Sequence, residues 1–324
     1  MRAIQVREFG GPEVLRPVEL PDPVPGPGQV VVDMAVTDVI YLDVMRRSGR
    51  AGPAAPSLPY VPGRGGAGRV HAVGEGVDPA WLGRRVVART DGGYAERLLA
   101  AETQIVPVPD DLGLREAAAV LHDGGTAIGL FAETPAAEGE WVLVTAAAGG
   151  AAHLLVQLAL DAGARVVAAA RGERKLAMLR GLGATAVVDY SAPDWPARVR
   201  EATGGRGADL VFDGAGGAYG RAAFDAVADG GRFVSYGSAG GGITQIDPEL
   251  AERRKVTVHN PLFGGPPPDP ATAHARIARA LELTAKGVLR PHIGAVYPLE
   301  QAAEAHRALE ERRTLGRALL LVSG

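Results

Sequence analysis

Strands and helices alternate between about residue 114 and residue 236, and this alternation constrains the possible folds more than any other feature of the sequence. The pattern predicts strands at 141–144, 165–170, 186–188, 209–213 and 231–236. Helices are predicted at 114–121, 125–134, 148–162, 173–182, 194–203 and 218–227. Strands that are separated by helices form βαβ units, in which the strands run parallel and the helices cover the sheet. The sequence therefore predicts an α/β fold with a doubly wound parallel sheet in this region.

The residues on either side of this region have a different pattern. Short β-branched runs bounded by Gly and Pro predict strands at 2–8, 29–36, 68–74 and 84–89, with a possible helix at 38–48. Later segments predict a helix, an extended piece, a helix and a final strand, at 270–286, 289–298, 299–312 and 317–322. We expect this C-terminal part to complete the first domain. The predicted domains are 1–118 with 262–324, which are β-rich, and 119–261, which is doubly wound.

Composition and charge exclude several classes of protein. The 324 residues are 47% hydrophobic and 22% charged, which excludes global disorder. The net charge of −3 argues against nucleic-acid and acidic-membrane partners, because both need a basic face. The sequence has no cysteine, which excludes disulfides, thiolate nucleophiles and cysteine-ligated zinc. Because the first ten residues contain no apolar run, we expect no secretion signal and a cytoplasmic location.

The segment WVLVTAAAGGAA at 141–152 carries the most specific motif. A short apolar strand runs into Ala146-x-x-Gly149-x-x-Ala152, and an apolar-striped helix follows. Small residues let the chain turn tightly and let the backbone approach a pyrophosphate, which the start of the helix attracts. The motif predicts a dinucleotide-binding turn that has Ala in two of the usual Gly positions. The alternative is an ordinary tight turn in an alanine-rich protein.

The end of the second predicted strand indicates which dinucleotide binds. Enzymes that use NAD usually have a carboxylate here, which accepts hydrogen bonds from the ribose. In this chain the strand ends in Ala170 and Arg171, and Lys175 lies one helical turn further on. Two cations attract a 2′-phosphate, so the pattern predicts NADP(H), with Glu173 pointing away. The alternative is that Arg171 and Lys175 only begin a solvated helix.

Seven segments spread over the chain resemble one protein family. They are FGGPEVL (9–15), PVPGPGQVVV (23–32), GGYAE (92–96), AAAVLHDGGTA (117–127), AAAGGAAHLLVQLAL (146–160), KLAMLRGLGATAVVDY (175–190) and YPLEQAAEAHRALEERRTLGRALL (297–320). Together they resemble the zinc-independent quinone oxidoreductases of the medium-chain dehydrogenase/reductase superfamily. The resemblance implies a GroES-like catalytic domain, a Rossmann domain, a cleft between them that holds NADPH, and a homodimer.

The resemblance also implies which residues contact the cofactor. These are Thr126, Gly149, Gly150, Ala151, Ala152, Lys175, Tyr190, Gly237, Ser238, Phe263 and Arg317. The turn motif adds Ala148 to the predicted cofactor residues, and the end of the second strand adds Arg171. The zinc-dependent relatives place metal ligands where this chain has Ile40, Arg64 and Gly65. Because none of these side chains donates a lone pair to zinc, catalysis without a metal is predicted.

The candidates for the substrate side are Ile40, Tyr41, Tyr60 and His122. Many relatives carry Asn where this chain has Ile40, which removes a polar group beside the nicotinamide. Tyr41 is the first candidate for the catalytic residue, because a phenol can donate a hydrogen bond to the oxyanion that hydride transfer creates. Tyr41 and His122 also fit purely structural roles, and Asp43 is expected to cap the backbone nearby.

Three functions are consistent with these residues. The first is an NADPH-dependent reductase of quinones or α,β-unsaturated carbonyls. The second is an enoyl-thioester or carbonyl reductase, and a basic patch that binds a carrier arm would favour a thioester. Four arginines are candidates for this patch, and the alternative is that they form a solvated rim: Arg46, Arg47, Arg50 and Arg64. The third is a protein that binds NADPH with little turnover.

Overall fold

The structure is a computed structural model that describes residues 1–238, 240–262 and 268–322. In these ranges the strands are β1 Arg2–Gln5, β2 Arg16–Glu19, β3 Gln29–Val39, β4 Gly66–Val73, β5 Arg85–Ala88, β6 Arg97–Ala101, β7 Ile105–Pro107, β8 Trp141–Thr145, β9 Arg165–Ala170, β10 Ala186–Asp189, β11 Ala208–Asp213, β12 Val227–Ser235, β13 Thr257–His259, β14 Ile293–Pro298 and β15 Arg317–Leu321. The helices are α1 Tyr41–Arg47, α2 Leu114–Glu133, α3 Gly150–Asp161, α4 Glu173–Gly181, α5 Trp195–Ala202, α6 Gly217–Asp225, α7 Pro248–Arg253, α8 Pro270–Ala285 and α9 Ala302–Glu310.

The chain divides into two compact units. Unit 1 consists of Met1–Gly125, Asp269–Gly287 and Pro291–Gly324, and unit 2 consists of Thr126–Pro268 and Val288–Arg290. The divisions fall seven residues after the boundaries that we expected at 118/119 and 261/262. The assignment of domains from the sequence stays a prediction.

Unit 2 contains the doubly wound sheet that the sequence predicts. Its described strands are all parallel and lie in the order β10-β9-β8-β11-β12-β13. Numbered within the sheet this order is 3-2-1-4-5-6, that of a Rossmann fold. Apolar side chains from the strands and from α6, among them Val167, Val211 and Phe224, form the core. The strand order reverses between β8 and β11, so a ligand is expected at the carboxyl ends of these strands.

Unit 1 contains a mainly antiparallel sheet, as expected for the β-rich domain. Its described strands lie in the order β14-β15-β3-β4-β5-β7, and β6 also pairs with β3. All of these pairs are antiparallel except the parallel pair of β14 and β15. The last strand pairs with β3 through Ala318 and Val39, so the end of the chain belongs to the sheet of unit 1.

One helix replaces two helices that we expected. The sequence predicts helices at 114–121 and 125–134 because Gly124 and Gly125 interrupt the pattern, but α2 continues through both glycines. A Cβ atom on Gly124 would lie 2.6 Å from the Cβ of Ala280 in α8. The glycine is therefore needed for close packing between two helices and does not end α2.

The described helices were also compared with the thickness of a lipid bilayer. None of them combines the length and the apolar character that crossing a membrane requires.

Candidate active site

The turn after β8 has the tight geometry that the motif predicts. Ala146 adopts a φ of +47°, which is unusual for a residue with a side chain. Its carbonyl oxygen accepts a hydrogen bond from the Gly149 N–H at 2.8 Å, and α3 begins at Gly150. Ala148 and Ala152 are buried, whereas Gly149 is exposed and Gly150 and Ala151 are half-buried. The accessible backbone at the start of α3 can therefore bind an anion, because the first N–H groups of a helix have no partner within it.

Two cations lie beyond the end of β9, the strand next to β8. Arg171 is exposed, and Lys175 is half-buried in the first turns of α4. Glu173 lies between them in sequence, but its carboxylate binds Arg180 in the same helix. The hydrogen bond from Arg180 holds the pKa of Glu173 below its usual value. The carboxylate that could repel a phosphate is therefore paired elsewhere, while Arg171 remains at the edge of the sheet.

A buried carboxylate that our sequence analysis missed lies where the strand order reverses. Asp213 ends β11 opposite Thr145, which ends β8, and both side chains are fully buried. One oxygen of Asp213 accepts hydrogen bonds from the Thr145 hydroxyl at 2.7 Å and from the N–H groups of Ala215 and Gly216 at 3.1 Å. The other oxygen accepts a hydrogen bond from the Thr244 hydroxyl. An Asp at a strand end followed by glycines was the available signal in the sequence.

Asp213 also begins a loop that touches the loop after β12. Gly216 has a φ of +72°, and a Cβ atom there would lie 2.2 Å from the carbonyl oxygen of Gly242. A Cβ atom on Gly237 would lie 2.3 Å from the carbonyl oxygen of Gly214. Only glycine permits backbones to approach this closely. The two loops therefore support each other at the carboxyl edge of the sheet.

The predicted cofactor residues of unit 2 gather largely at this edge. The turn at 148–152 follows β8, Arg171 follows β9, Tyr190 follows β10, and Gly237 with Ser238 follows β12. Carboxyl ends of neighbouring parallel strands meet at one edge, so these residues share one side of the sheet. Thr126 is half-buried in α2, and Phe263 lies outside the described residues.

Unit 1 contains a buried group of charged side chains around Asp38. The Nδ1 atom of His122 lies 3.1 Å from each carboxylate oxygen of Asp38. Arg317 donates a hydrogen bond to the Val39 carbonyl oxygen at 2.9 Å and another to the carboxylate of Asp123. Burial opposes the ionisation of Asp38, but His122 and Arg317 outweigh it and keep the pKa of Asp38 below its usual value. These contacts give Arg317 a structural role, and its predicted cofactor contact stays a prediction that they do not support.

The other substrate-side candidates lie around the start of α1. Asp43 accepts a hydrogen bond from the Ile40 N–H at 3.1 Å, which confirms that it caps the helix. Tyr41 is 55% exposed as the first residue of α1. Tyr60 is half-buried, and its hydroxyl oxygen is buried without a hydrogen-bond partner among the described residues. Burial raises the pKa of Tyr60 to about 12, so the hydroxyl keeps its proton and can donate it in a hydrogen bond.

Each of the four arginines considered as a basic patch lies within 4 Å of a carboxylate. Arg47 is 1% exposed and binds Glu310, which also lies 3.7 Å from Arg50. Arg46 makes two hydrogen bonds of 2.9 Å to Asp91, and Arg64 lies 3.8 Å from the same carboxylate. Two carboxylates therefore pair with the four arginines, and the buried Arg47 is not part of an accessible basic patch.

The buried carboxyl of Asp43 makes stability depend on pH. Burial raises the pKa of Asp43 to about 6, above its ordinary value of 3.8. The folded state therefore favours the protonated acid, and the stability that Asp43 contributes falls as the pH rises from about 4 to about 6. Asp43→Asn cannot ionise, so its unfolding free energy should rise relative to the wild type by about 2 to 3 kcal/mol over this interval. Urea unfolding between these two pH values measures the difference.

An exposed side chain that does not ionise provides the control for this prediction. Gln104→Asn changes the last residue of a short helix on the surface of unit 1. Because neither amide titrates, its unfolding free energy relative to the wild type should stay nearly constant over the same pH interval. A constant difference for Asp43→Asn as well would contradict the raised pKa of Asp43.

Comparisons with known proteins agree with this fold. The family described as "Alcohol dehydrogenase GroES-like domain" matches residues 26–110, and the family described as "Zinc-binding dehydrogenase" matches residues 182–320. A quinone oxidoreductase from Pseudomonas aeruginosa is 33% identical, over 99% of this chain and 99% of its own. A 2-haloacrylate reductase from a Burkholderia species is 31% identical, over 98% of both chains.

Solved structures of related proteins also match this fold over the whole chain. The structure of Escherichia coli quinone oxidoreductase complexed with NADPH matches with a TM-score of 0.89 and 28% identity, over 99% of this chain and 100% of the other. An NAD-dependent alcohol dehydrogenase matches with a TM-score of 0.90 and 35% identity, over 100% of both chains. These neighbours therefore include proteins described with each of the two dinucleotides.

A GroES-like sheet and a Rossmann sheet with a dinucleotide-type turn define the class of medium-chain dehydrogenases and reductases. Two relatives that are more than 30% identical over nearly the whole chain identify the family within this class. The chain belongs to the zinc-independent quinone oxidoreductase family of that superfamily.

Proposed function

We propose that this protein is an NADPH-dependent oxidoreductase that transfers a hydride to a quinone or an α,β-unsaturated carbonyl compound without a metal. The observation that carries the proposal is the carboxyl edge of the sheet in unit 2. There the turn at 146–152 leads into α3, and β9 is followed by Arg171 instead of a carboxylate. This arrangement suits a dinucleotide that carries an extra phosphate on its adenosine ribose.

The residues at this edge fit NADPH in both shape and charge. The exposed Gly149 and the half-buried Gly150 and Ala151 leave the N–H groups at the start of α3 accessible to a pyrophosphate. Arg171 and Lys175 would bind the 2′-phosphate, because cations complement its charge. Tyr190 would lie by the adenosine, and Gly237 with Ser238 on the nicotinamide side. When bound, NADPH supplies the hydride.

On the substrate side the protein must stabilise negative charge on oxygen. Hydride addition to a quinone or an enone places that charge on the carbonyl oxygen, and a hydrogen-bond donor lowers the barrier. Tyr41 remains the proposed catalytic donor, and its exposure makes it accessible to a ligand. Tyr60 is the second candidate because its buried hydroxyl keeps its proton. His122 can be oriented by Asp38, which lies against its Nδ1 atom.

Two further considerations support this substrate class and the absence of a metal. The relatives include quinone oxidoreductases and a 2-haloacrylate reductase. The compounds in both names, quinones and 2-haloacrylates, contain an electron-poor conjugated double bond. The positions of zinc ligands in zinc-dependent relatives are occupied by Ile40, Arg64 and Gly65, which supply no suitable donor atom.

Oxidation of NADPH and of NADH against a panel of acceptors tests the proposal. The panel contains benzoquinone, 9,10-phenanthrenequinone, an enone, 2-chloroacrylate, a crotonyl thioester and an aldehyde. We expect turnover of quinones or enones with NADPH preferred to NADH. Turnover of only the thioester or the aldehyde would favour the second function. Binding of NADPH without turnover of any acceptor would favour a binding protein, and binding of neither dinucleotide would contradict the cofactor.

Removal of the Arg171 side chain should change the choice of dinucleotide. Because only NADPH carries the 2′-phosphate, we expect Arg171→Ala to lower kcat/KM for NADPH by about tenfold to a hundredfold and to change kcat/KM for NADH by less than about twofold. Steady-state kinetics with both dinucleotides measure the two effects. The control is Arg174→Ala, which removes an exposed arginine three positions further on, in the first turn of α4. Equal losses with both dinucleotides would contradict the assignment.

On the resemblance alone, we also propose that the protein acts in the cytoplasm as a homodimer. Light scattering during size-exclusion chromatography would then give twice the chain mass of 33.4 kDa. A value equal to the chain mass would contradict the dimer.

A further inference from the structure

Arg171 does not extend freely into solvent, because it lies against Tyr219 of α6. The centre of its guanidinium lies 5.6 Å from the centroid of the tyrosine ring, and its Nη2 atom donates a hydrogen bond to the tyrosine hydroxyl. Arg171 follows β9 and Tyr219 follows β11, so these residues come from strands on opposite sides of β8. The contact is a cation–π interaction reinforced by a hydrogen bond.

Two further contacts hold Tyr219 in place. Its ring lies 4.8 Å from the ring of Tyr190 at an angle of 40°, and the ring of Tyr190 in turn lies 6.3 Å from that of Trp195. The backbone of Gly240 is also close, because a Cβ atom on Gly240 would lie 2.9 Å from Cδ2 of Tyr219. The tyrosine therefore packs against both an aromatic ring and the loop after β12, and these contacts restrict the support that it gives to the arginine.

The contact leaves Arg171 able to bind a phosphate. A guanidinium has five N–H donors in one plane, and the tyrosine hydroxyl accepts from one nitrogen only. The carboxylate of Asp189 at the end of β10 is satisfied by other donors, the Ser191 N–H and hydroxyl and the Gly172 N–H at 3.3 Å. The hydrogen bonds from Ser191 lower the pKa of Asp189 most, and the charge of Arg171 also lowers it, so Asp189 attracts the guanidinium without accepting a hydrogen bond from it. The remaining donors of Arg171 can therefore face a ligand.

We propose that Tyr219 is a positioning residue that holds Arg171 ready for the 2′-phosphate and so contributes to the preference for NADPH. This inference rests on the proposed function, since it assumes that Arg171 binds that phosphate. An exposed arginine samples many side-chain conformations, and restricting them when the ligand arrives weakens binding. A side chain that is already restricted loses less freedom, so Tyr219 increases affinity for the phosphate without touching it.

Binding of 2′,5′-ADP and of 5′-AMP, measured by calorimetry, separates this role from a structural one. The two probes differ only in the 2′-phosphate, and neither requires catalysis. We expect Tyr219→Ala to weaken 2′,5′-ADP by about threefold to tenfold, with 5′-AMP changed by less than about twofold. Tyr219→Phe keeps the ring but not the hydroxyl, so its effect on 2′,5′-ADP should be smaller. Tyr297→Phe in β14 of unit 1 is the matched control and should change neither.

The double variant shows whether Tyr219 acts through Arg171. In an Arg171→Ala background, Tyr219→Ala should cause no further loss of 2′,5′-ADP binding. A further loss there, or equal weakening of both probes by Tyr219→Ala alone, would overturn the inference and leave the tyrosine as a structural support. If Arg171→Ala lowers 2′,5′-ADP binding while both Tyr219 variants bind it normally, the inference fails and the proposed function stands. If the wild type binds both probes equally, the NADPH preference itself fails.

Discussion

Replacing Asp213 by alanine is expected to lower the free energy of unfolding by about 3 to 5 kcal/mol. The carboxylate is fully buried and accepts hydrogen bonds from two threonine hydroxyls and two backbone N–H groups. Alanine would remove the acceptor of both threonine hydroxyls and of the Gly216 N–H, whereas the Ala215 N–H keeps the Thr145 oxygen at 3.1 Å. Each buried donor without an acceptor costs about 1 to 3 kcal/mol. Urea unfolding measures the loss, and hydrogen exchange at the amides of β8 and β11 locates it in unit 2.

The same substitution should also impair dinucleotide binding. Asp213 fixes the loop at 214–217, which supports the backbone of Gly237, one of the predicted cofactor residues. Asp229→Ala is the matched control, because this carboxylate is exposed and pairs with Arg254 in the same unit. Its effect on stability should remain below about 1 kcal/mol. If the two alanine variants unfold alike, the importance assigned to Asp213 is wrong.

Replacing Arg317 in unit 1 by methionine should lower the free energy of unfolding by a similar amount. The guanidinium is the cation between the carboxylates of Asp38 and Asp123, and its side chain is only 9% exposed. Methionine fills a similar volume but leaves both carboxylates without this compensation. We expect a loss of about 3 to 5 kcal/mol in the free energy of unfolding at neutral pH, measured by urea unfolding.

The pH dependence of this loss checks its electrostatic origin. Burial raises the pKa of Asp38, and His122 and Arg317 lower it, so removing Arg317 should raise this pKa above its wild-type value while His122 still opposes the effect of burial. The deficit of Arg317→Met should therefore shrink as the pH is lowered from about 7 to about 5. The control Arg307→Met removes an exposed arginine that pairs with Glu304, and it should cost less than about 1 kcal/mol. A deficit that is independent of pH would indicate lost packing instead of uncompensated charge.

The parts of the fold that could be predicted are those encoded by local patterns. The strands β8 and β11 are apolar runs, and the helices between the strands repeat their apolar residues with helical spacing. β13 was missed because only Val258 of its three residues is partly buried. α2 was divided in two because a pair of glycines suggests a break, whereas the packing of Gly124 on Ala280 decides otherwise.

The residues of the candidate site that could be predicted are likewise those that belong to a local pattern. The turn at 146–152 and the cations Arg171 and Lys175 could be recognised because each function depends on residue types at a fixed spacing within one segment. Tyr219 could not be recognised, because its contact with Arg171 joins residues that are 48 positions apart. The neutralisation of Arg47 by Glu310 was missed for the same reason, since 263 positions separate them.

The sequence by itself therefore determined the doubly wound sheet, the turn after its first strand and the charge at the end of its second. Only the tertiary structure decided which polar side chains meet, namely Asp213 with two threonines and Arg317 with Asp38 and Asp123. The physical reason is that periodicity records burial and backbone conformation, which depend on neighbouring residues. Hydrogen bonds and ion pairs between distant segments depend on the order and register of strands, which arise only when the sheet assembles.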